Sequence, residues 1–393
     1  MKTVNNIIED VKQNGDKAVK KYTEIFDKTK IKNLEVNKIE IKEAYKKIDK
    51  KTLRIIKSAA VNIKKFAKKQ FNQFKNFEYT KDGITIGQRI IPIEKVGVYI
   101  PGGRYPLPST ALMCIIPAKI AGVKNIIACS PKIKPETIVA SHFAGANLIF
   151  RVGGVQAIAA MAYGTGTIPK VDKIVGPGNK YVTQAKKEIY GDCGIDFLAG
   201  PSEILIVADK WANPVLIAAD LLAQAEHDVN AKLIFITDTS KLIKKVKKEL
   251  KIQLNKITTK KIAEKSLKKK KIIKVKNLEE AIKKANEFAP EHLMLQIKNP
   301  KRFLKKLKNY GSLFLGNYSA VVFGDYCSGI NHVLPTNKVS RYTGGLSVRD
   351  FIKIQTYQYI TKIGAKKLGK TAIDFASIEG LDAHQKSARV RLK

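Results

Sequence analysis

The feature that most constrains this chain is an alternation that starts at Val96 and continues to Leu315. Short apolar runs sit at Val96–Ile100, Asn125–Ala128, Asn147–Val152 and Lys173–Val175. Between them, Pro108–Ala121, Pro135–Ala144, Gln156–Tyr163 and Lys180–Tyr190 carry helical patterns. Runs too short for helices, separated by helical stretches, read as strand–helix–strand. Such a pattern closes as a parallel sheet with helices on its faces. It repeats after Gly200, with apolar runs at Ile204–Val207, Leu233–Ile236, Ile272–Val275, Leu293–Ile297 and Leu313–Leu315. The expectation is an α/β chain of two tandem units, residues 96–202 and 203–339.

Smaller segments flank them. Residues 1–95 are expected to hold a helical segment and a hairpin. Val4, Ile7, Ile8, Val11, Ala18, Val19 and Tyr22 recur at helical spacing, with a break and restart at Asn14-Gly15-Asp16. Tyr79 to Ile93 alternates around Asp82-Gly83, a hairpin signal. Residues 340–393 are read as a tail, glycine-rich to Leu346 and helical thereafter. The lysine- and aliphatic-rich stretch 257–276 reads as an exposed helix end and loop.

Composition decides what the chain is not. Lys and Arg number 73 against 34 Asp and Glu, a formal charge of +39. Only nine of the 73 are Arg, the residue that grips phosphate and guanine in bidentate fashion. The lysine surplus therefore reads as solvated surface, and no specific nucleic-acid partner is expected. Four scattered cysteines without a CxxC pair exclude a zinc ribbon and favour a reducing compartment. Met1 to Glu24 lacks the apolar core of a signal peptide, and the run Val152–Pro169 is broken by four glycines. A cytoplasmic protein with no membrane partner is expected.

The chemistry concentrates in a few places. Four of the five histidines have acidic or amide company: Gln224-Ala-Glu226-His227-Asp228, Glu291-His292, Asp325 through Asn331-His332, and Glu379 through His384. His142 lacks it and reads as structural. Gln224 and His227 stand three apart on one helix face, which makes half a metal site or a pair of capping groups. Glu291-His292 opens an apolar run. Neighbours on a strand point to opposite faces, so the two serve one site only at a strand end or bend. A general base with a water-activating carboxylate is one reading, and a helix-to-strand turn is the other. Glycine turns follow three strands, at Pro101-Gly102-Gly103, Gly153-Gly154 and Gly176-Pro-Gly-Asn179. Bare N–H groups opening a helix suit phosphate, although the common dinucleotide fingerprint is absent.

Together these segments resemble histidinol dehydrogenase over nearly the whole chain. The resemblance rests on motifs in the family's order. They include Val96-Gly-Val-Tyr99-Ile-Pro-Gly-Gly103, Pro106-Leu-Pro-Ser-Thr110, Val152-Gly-Gly-Val-Gln156-Ala, Gly176-Pro-Gly-Asn179 and Ala199-Gly-Pro-Ser202-Glu. Leu222-Ala-Gln224-Ala-Glu-His227, Pro290-Glu291-His292-Leu, Asn331-His332-Val-Leu-Pro-Thr336, Gly345-Leu-Ser-Val348 and Glu379-Gly-Leu381-x-x-His384 complete them. The resemblance implies NAD-dependent, four-electron oxidation of L-histidinol through L-histidinal to L-histidine. It also implies two incomplete Rossmann-like units and a homodimer whose sites are shared between chains. Zinc, one per chain, falls to Gln224, His227, Asp325 and His384. Acid–base roles fall to Glu291 and His292. Substrate contacts fall to Ser202, His292, His332 and Glu379 besides the zinc ligands, and NAD contacts to Tyr99, Gln156 and Asn179. Two departures stand out. The chain starts later than a typical member, which touches dimer contacts and not the site. Asp228 replaces a glycine after His227 and is expected as an acceptor beside the metal ligands.

Overall fold

The computed structural model describes residues 2–102 and 105–393. Gly103 of the first glycine turn lies outside the described residues. Strands β1 (Phe77–Lys81) and β2 (Ile84–Pro92) form the expected antiparallel hairpin around Asp82-Gly83. The first unit holds β3 (Lys95–Tyr99), β4 (Asn125–Cys129), β5 (Leu148–Phe150), β6 (Lys173–Val175) and β7 (Gly194–Ile195). They form a parallel sheet in the order β5-β4-β3-β6-β7. The second unit holds β8 (Glu203–Ala208), β9 (Lys232–Thr237), β10 (Lys271–Lys274), β11 (His292–Gln296) and β12 (Ser312–Leu315). Its order, β10-β9-β8-β11-β12, repeats the first unit's winding. Each sheet grows outward in both directions from its first strand, as in doubly wound dinucleotide-binding folds.

The alternation of side chains explains why helices cover both faces. In the first sheet Val96, Val98, Ile126 and Ala128 enter one apolar layer, whereas Tyr99, Ile127 and Cys129 enter the other. In the second sheet Ile204 and Ile206 face one layer, and Leu205 and Val207 the opposite one. A strand buried on both faces needs no polar alternation, which is why these runs read as continuous. The N-terminal helix Lys2–Asp27 lays Val4, Ile7, Ile8, Val11, Ala18 and Val19 into the second of the first sheet's layers, as their spacing predicts. Gly15 (φ 49°, ψ −130°) breaks that helix where Asn14-Gly15-Asp16 signals it. All four cysteines are free.

Two expectations fail. The stretch 257–276 is not an exposed helix end and loop: it holds helix Lys260–Leu267, with Ala263 and Leu267 buried, and strand β10. The tail is not helical directly after Leu346: Ile352–Ile360 is a strand, β13, antiparallel to β2 over its whole length. Ile352-Lys-Ile-Gln-Thr-Tyr-Gln-Tyr-Ile360 alternates with period two and is rich in β-branched and aromatic residues. Its partner lies far upstream, so no local turn announces it. Beyond β13, helices Lys362–Ile378 and Asp382–Arg389 pack on one another. Among the described residues, no helix is long and apolar enough to cross a membrane.

Candidate active site

The sequence-level condition on Glu291 and His292 is met, because both stand at the start of β11. The preceding helix, Leu278–Phe288, ends in a left-handed residue, Ala289 (φ 48°), and Pro290 prevents its continuation. The chain therefore enters β11 at a bend, and the two side chains converge. Glu291 Oε2 lies 3.5 Å from His292 Nδ1, with both groups buried.

The main chain of a single residue, Glu203, holds them. The Glu203 N–H donates to Glu291 Oε2 at 2.7 Å, and the Glu203 carbonyl lies 3.0 Å from His292 Nδ1. A carbonyl only accepts, so Nδ1 carries the proton and Nε2 of the neutral ring is left with its lone pair. That Nε2 is buried with no hydrogen-bond partner and lies 3.8 Å from Asp325 Oδ1. The same reasoning fixes His332. Its Nδ1 donates to the Asp325 carbonyl at 2.7 Å, so Nε2 accepts from the Thr110 hydroxyl at 3.3 Å.

The electrostatics follow from burial and neighbours. Burial pushes the Glu291 carboxyl up to about 7, more than the nearby His292 lowers it. Burial also works against a charge on His292, but the carboxylates of Glu291 and Asp325 outweigh it and raise the ring to about 9. Burial opposes the Asp325 charge too, yet His292, His332 and His227 hold Asp325 below the usual carboxylate range. Burial lowers His332 despite the proximity of Asp325, which keeps it neutral.

The other expected metal ligands divide into two groups. Gln224 is buried in the last turn of helix Pro214–Ala225, and His227 follows in the next turn, near enough to act on Asp325. Asp228 Oδ1 accepts the Asn230 N–H at 2.7 Å and closes that turn. These amide, imidazole and carboxylate donors suit zinc. His384 and Glu379, by contrast, are exposed on the C-terminal helices, packed away from this cluster. Among the described residues, no three His, Cys, Asp or Glu side chains of one chain stand together as metal ligands.

The NAD candidates lie across the gap between the units. Tyr99 ends β3, and its hydroxyl accepts the Gly154 N–H at 3.1 Å. Burial pushes that phenol up to about 12, so it stays protonated. Gln156 is buried in the helix that follows, with Oε1 unpartnered. Asn179 caps helix Lys180–Ile189 by accepting from Tyr181 and Val182 N–H. All three stand beyond the carboxyl edge of the first sheet, where an α/β sheet takes its ligand. Gly176 there has φ +113°, and a Cβ would lie 2.1 Å from the Tyr99 carbonyl. Thr110, Gly200 and Met113 bind the segment Asn331–Thr336: the Gly200 N–H donates to Thr336 at 2.5 Å and Asn331 Nδ2 to the Met113 carbonyl at 2.7 Å. This segment joins the carboxyl edge of the first sheet to the amino edge of the second. Ser202, half-buried, lies in this joint just before β8.

Comparison with known proteins decides the family. The sequence model of the family described as histidinol dehydrogenase matches residues 1–392. The chain belongs to the histidinol dehydrogenase family. It is 48% identical to histidinol dehydrogenase of Methanocaldococcus jannaschii over 100% of this chain and 92% of that one. Its identity to the Clostridium acetobutylicum histidinol dehydrogenase is 45%, with the same coverage. The crystal structure of histidinol dehydrogenase from Elizabethkingia anophelis superposes with a TM-score of 0.96 at 40% identity, covering 100% of this chain and 92% of that one. Histidinol dehydrogenases are NAD-dependent oxidoreductases of histidine biosynthesis, and the family uses NAD and zinc. The motifs of the resemblance contain Glu203 and Thr110, but neither is given a role. Glu203 acts on the pair through its main chain, which leaves no residue-type signal.

The upward shifts of Glu291 and His292 make a pH prediction. Each group binds its proton more tightly in the folded chain, so its stabilisation is complete below the unfolded value and is lost as pH rises. For His292 the loss runs from 6.5 to about 9. In metal-free protein the calorimetric melting midpoint should fall across that interval. It should fall less steeply in Glu291→Gln, which lacks a carboxylate that raises His292. An equally steep fall in the variant contradicts the pairing.

Proposed function

We propose that the cluster at the amino ends of β8 and β11 oxidises L-histidinol to L-histidine through L-histidinal. The observation that supports it best is the main chain of Glu203, whose N–H and carbonyl orient a carboxylate and an imidazole side by side with different proton affinities. His292 Nε2 takes the alcohol proton as a hydride leaves the same carbon, giving the aldehyde. Glu291 then takes a proton from the water that adds to the aldehyde, while protonated His292 returns its proton to the aldehyde oxygen and is reset as a base. The resulting hydrate is again an alcohol, and His292 takes its proton in the second oxidation. NAD, when bound, accepts one hydride in each oxidation. Tyr99, Gln156 and Asn179 would hold it, Gln156 through its unpartnered Oε1. Residues 96–202 are thus the NAD side, and 203–339 carry the acid–base and metal residues.

Zinc, when bound, supplies a fixed charge that grips the amine and imidazole of the substrate. Gln224, His227 and Asp325 would hold it. Asp325 is one of the two carboxylates that raise His292, so a cation that takes up its charge would lower the base. Ser202, His332 and Glu379 complete the substrate's surroundings. The fourth zinc ligand, His384, and Glu379 come from the partner subunit of a homodimer. Their exposure on the C-terminal helices supports this. So does the apolar surface beside them, where Phe375 is 62% and Ile378 80% exposed. One zinc per chain follows from two shared sites per dimer.

Two experiments test these roles. Removal of one general base costs about 10²–10⁴-fold in rate. Glu291→Gln is expected to keep most of the alcohol step and to be slow on histidinal, whereas His292→Ala is slow on both. Steady-state rates with each substrate check this, and equal damage to both steps in Glu291→Gln contradicts the division. The shared site is tested by complementation. His227→Ala and His384→Ala homodimers should each lose zinc by elemental analysis and lose activity. A random equal mixture, dissociated and reassociated, should recover about a quarter of wild-type activity, because each mixed dimer keeps one intact site. No recovery places His384 in its own chain's site.

A further inference from the structure

One buried charged pair in the first unit has no part in the chemistry above. Lys186, on helix Lys180–Ile189, pairs with Asp196, just after β7, and their side chains are 4% and 0% exposed. A buried ion pair is weak evidence for stability, since an apolar pair of like volume serves a core as well. What distinguishes this pair is the use of its remaining hydrogen bonds. Asp196 Oδ2 accepts the Gly176 N–H at 2.8 Å, and Lys186 Nζ donates to the Gly176 carbonyl at 3.1 Å. Asp196 Oδ1 takes the Phe197 N–H at 2.7 Å as well as the Lys186 ammonium. Both main-chain groups of Gly176 are therefore held by opposite ends of one desolvated dipole.

Gly176 is the residue on which the turn depends. Its left-handed backbone passes so close to Tyr99 that a Cβ would meet the Tyr99 carbonyl. Asn179, three residues on, spends its Oδ1 on the cap of the helix that carries Lys186. That helix is also tied to the segment after Asp196, since the Thr183 hydroxyl donates to the Ala199 carbonyl at 2.8 Å. Turn, helix and strand end thus form one clamped unit at the crevice between β3 and β6.

We infer that the Lys186–Asp196 pair is a positioning device for the dinucleotide: it holds the Gly176–Asn179 turn in its binding shape before NAD arrives. The inference rests on the placement of NAD at that turn. A turn ordered in advance spares the binding step the cost of ordering it. Asp196 had a weak sequence signal as the one charge in the run Gly194-Ile-Asp-Phe-Leu-Ala199.

The test is the double substitution Lys186→Met with Asp196→Leu in the holoenzyme. It removes both charges and strands neither. The KM for histidinol should stay close to wild type, while the Kd for NAD, titrated by calorimetry, rises about tenfold or more. A folded double variant with wild-type NAD affinity overturns the inference. Hydrogen exchange on the wild-type chain gives a second reading that does not depend on the variant folding. The Gly176 amide should be protected without NAD, and fast exchange there would overturn the inference equally. Asn179→Ala separates the two layers. Unchanged NAD affinity in Asn179→Ala beside a weakened double variant removes Asn179 as an NAD contact and leaves the clamp standing.

Discussion

The site depends on the parallel pairing of β8 with β11. That pairing sets His292 opposite Ile204 and brings the main chain of Glu203 against the start of β11. The Glu203 N–H, which would otherwise end unpaired at the edge of the sheet, and the Glu203 carbonyl become the anchors of two side chains. The N–H favours a carboxylate at Glu291, and the carbonyl selects the imidazole tautomer with its lone pair on Nε2. Because strand residues 291 and 292 meet there only through the bend at Ala289-Pro290, the chemistry is built into the sheet and not carried on a flexible loop.

Two sheets of the same winding are used at opposite edges. The first offers its carboxyl edge, with the turns after β3 and β6 at the point where strand order reverses. The second offers its amino edge, against the general habit of such sheets. The difference follows from how the units meet. Thr110, at the start of the helix after β3, reaches His332, and Gly200 reaches Thr336, so the two edges face one another. On the proposed assignment, NAD held at the first edge and the substrate at the second are then neighbours without any long loop.

Much of this was legible in the residues. The alternation of short apolar runs with helical patterns located β3 to β6 and β8 to β12, because strands buried on both faces leave uninterrupted apolar runs. The three glycine turns and the Glu291-His292 pair stood out by residue type. The tail strand β13 did not, since its pairing with β2 spans most of the chain and no nearby turn announces it. The role of Glu203 was hidden for another reason: any residue supplies the same main-chain N–H and carbonyl. His384 marks a third limit. Resemblance could name it as a ligand, but only the fold shows it exposed and packed away from the cluster around Asp325.

The central claim is that one stationary pair, His292 and Glu291, carries out both oxidations in a single site. The most direct measurement is the number of NADH formed per histidinol consumed, read at 340 nm, with a carbonyl trap present to capture any free histidinal. The account predicts two NADH per histidinol and no trapped aldehyde. One NADH per histidinol, with histidinal accumulating in the trap, would contradict it.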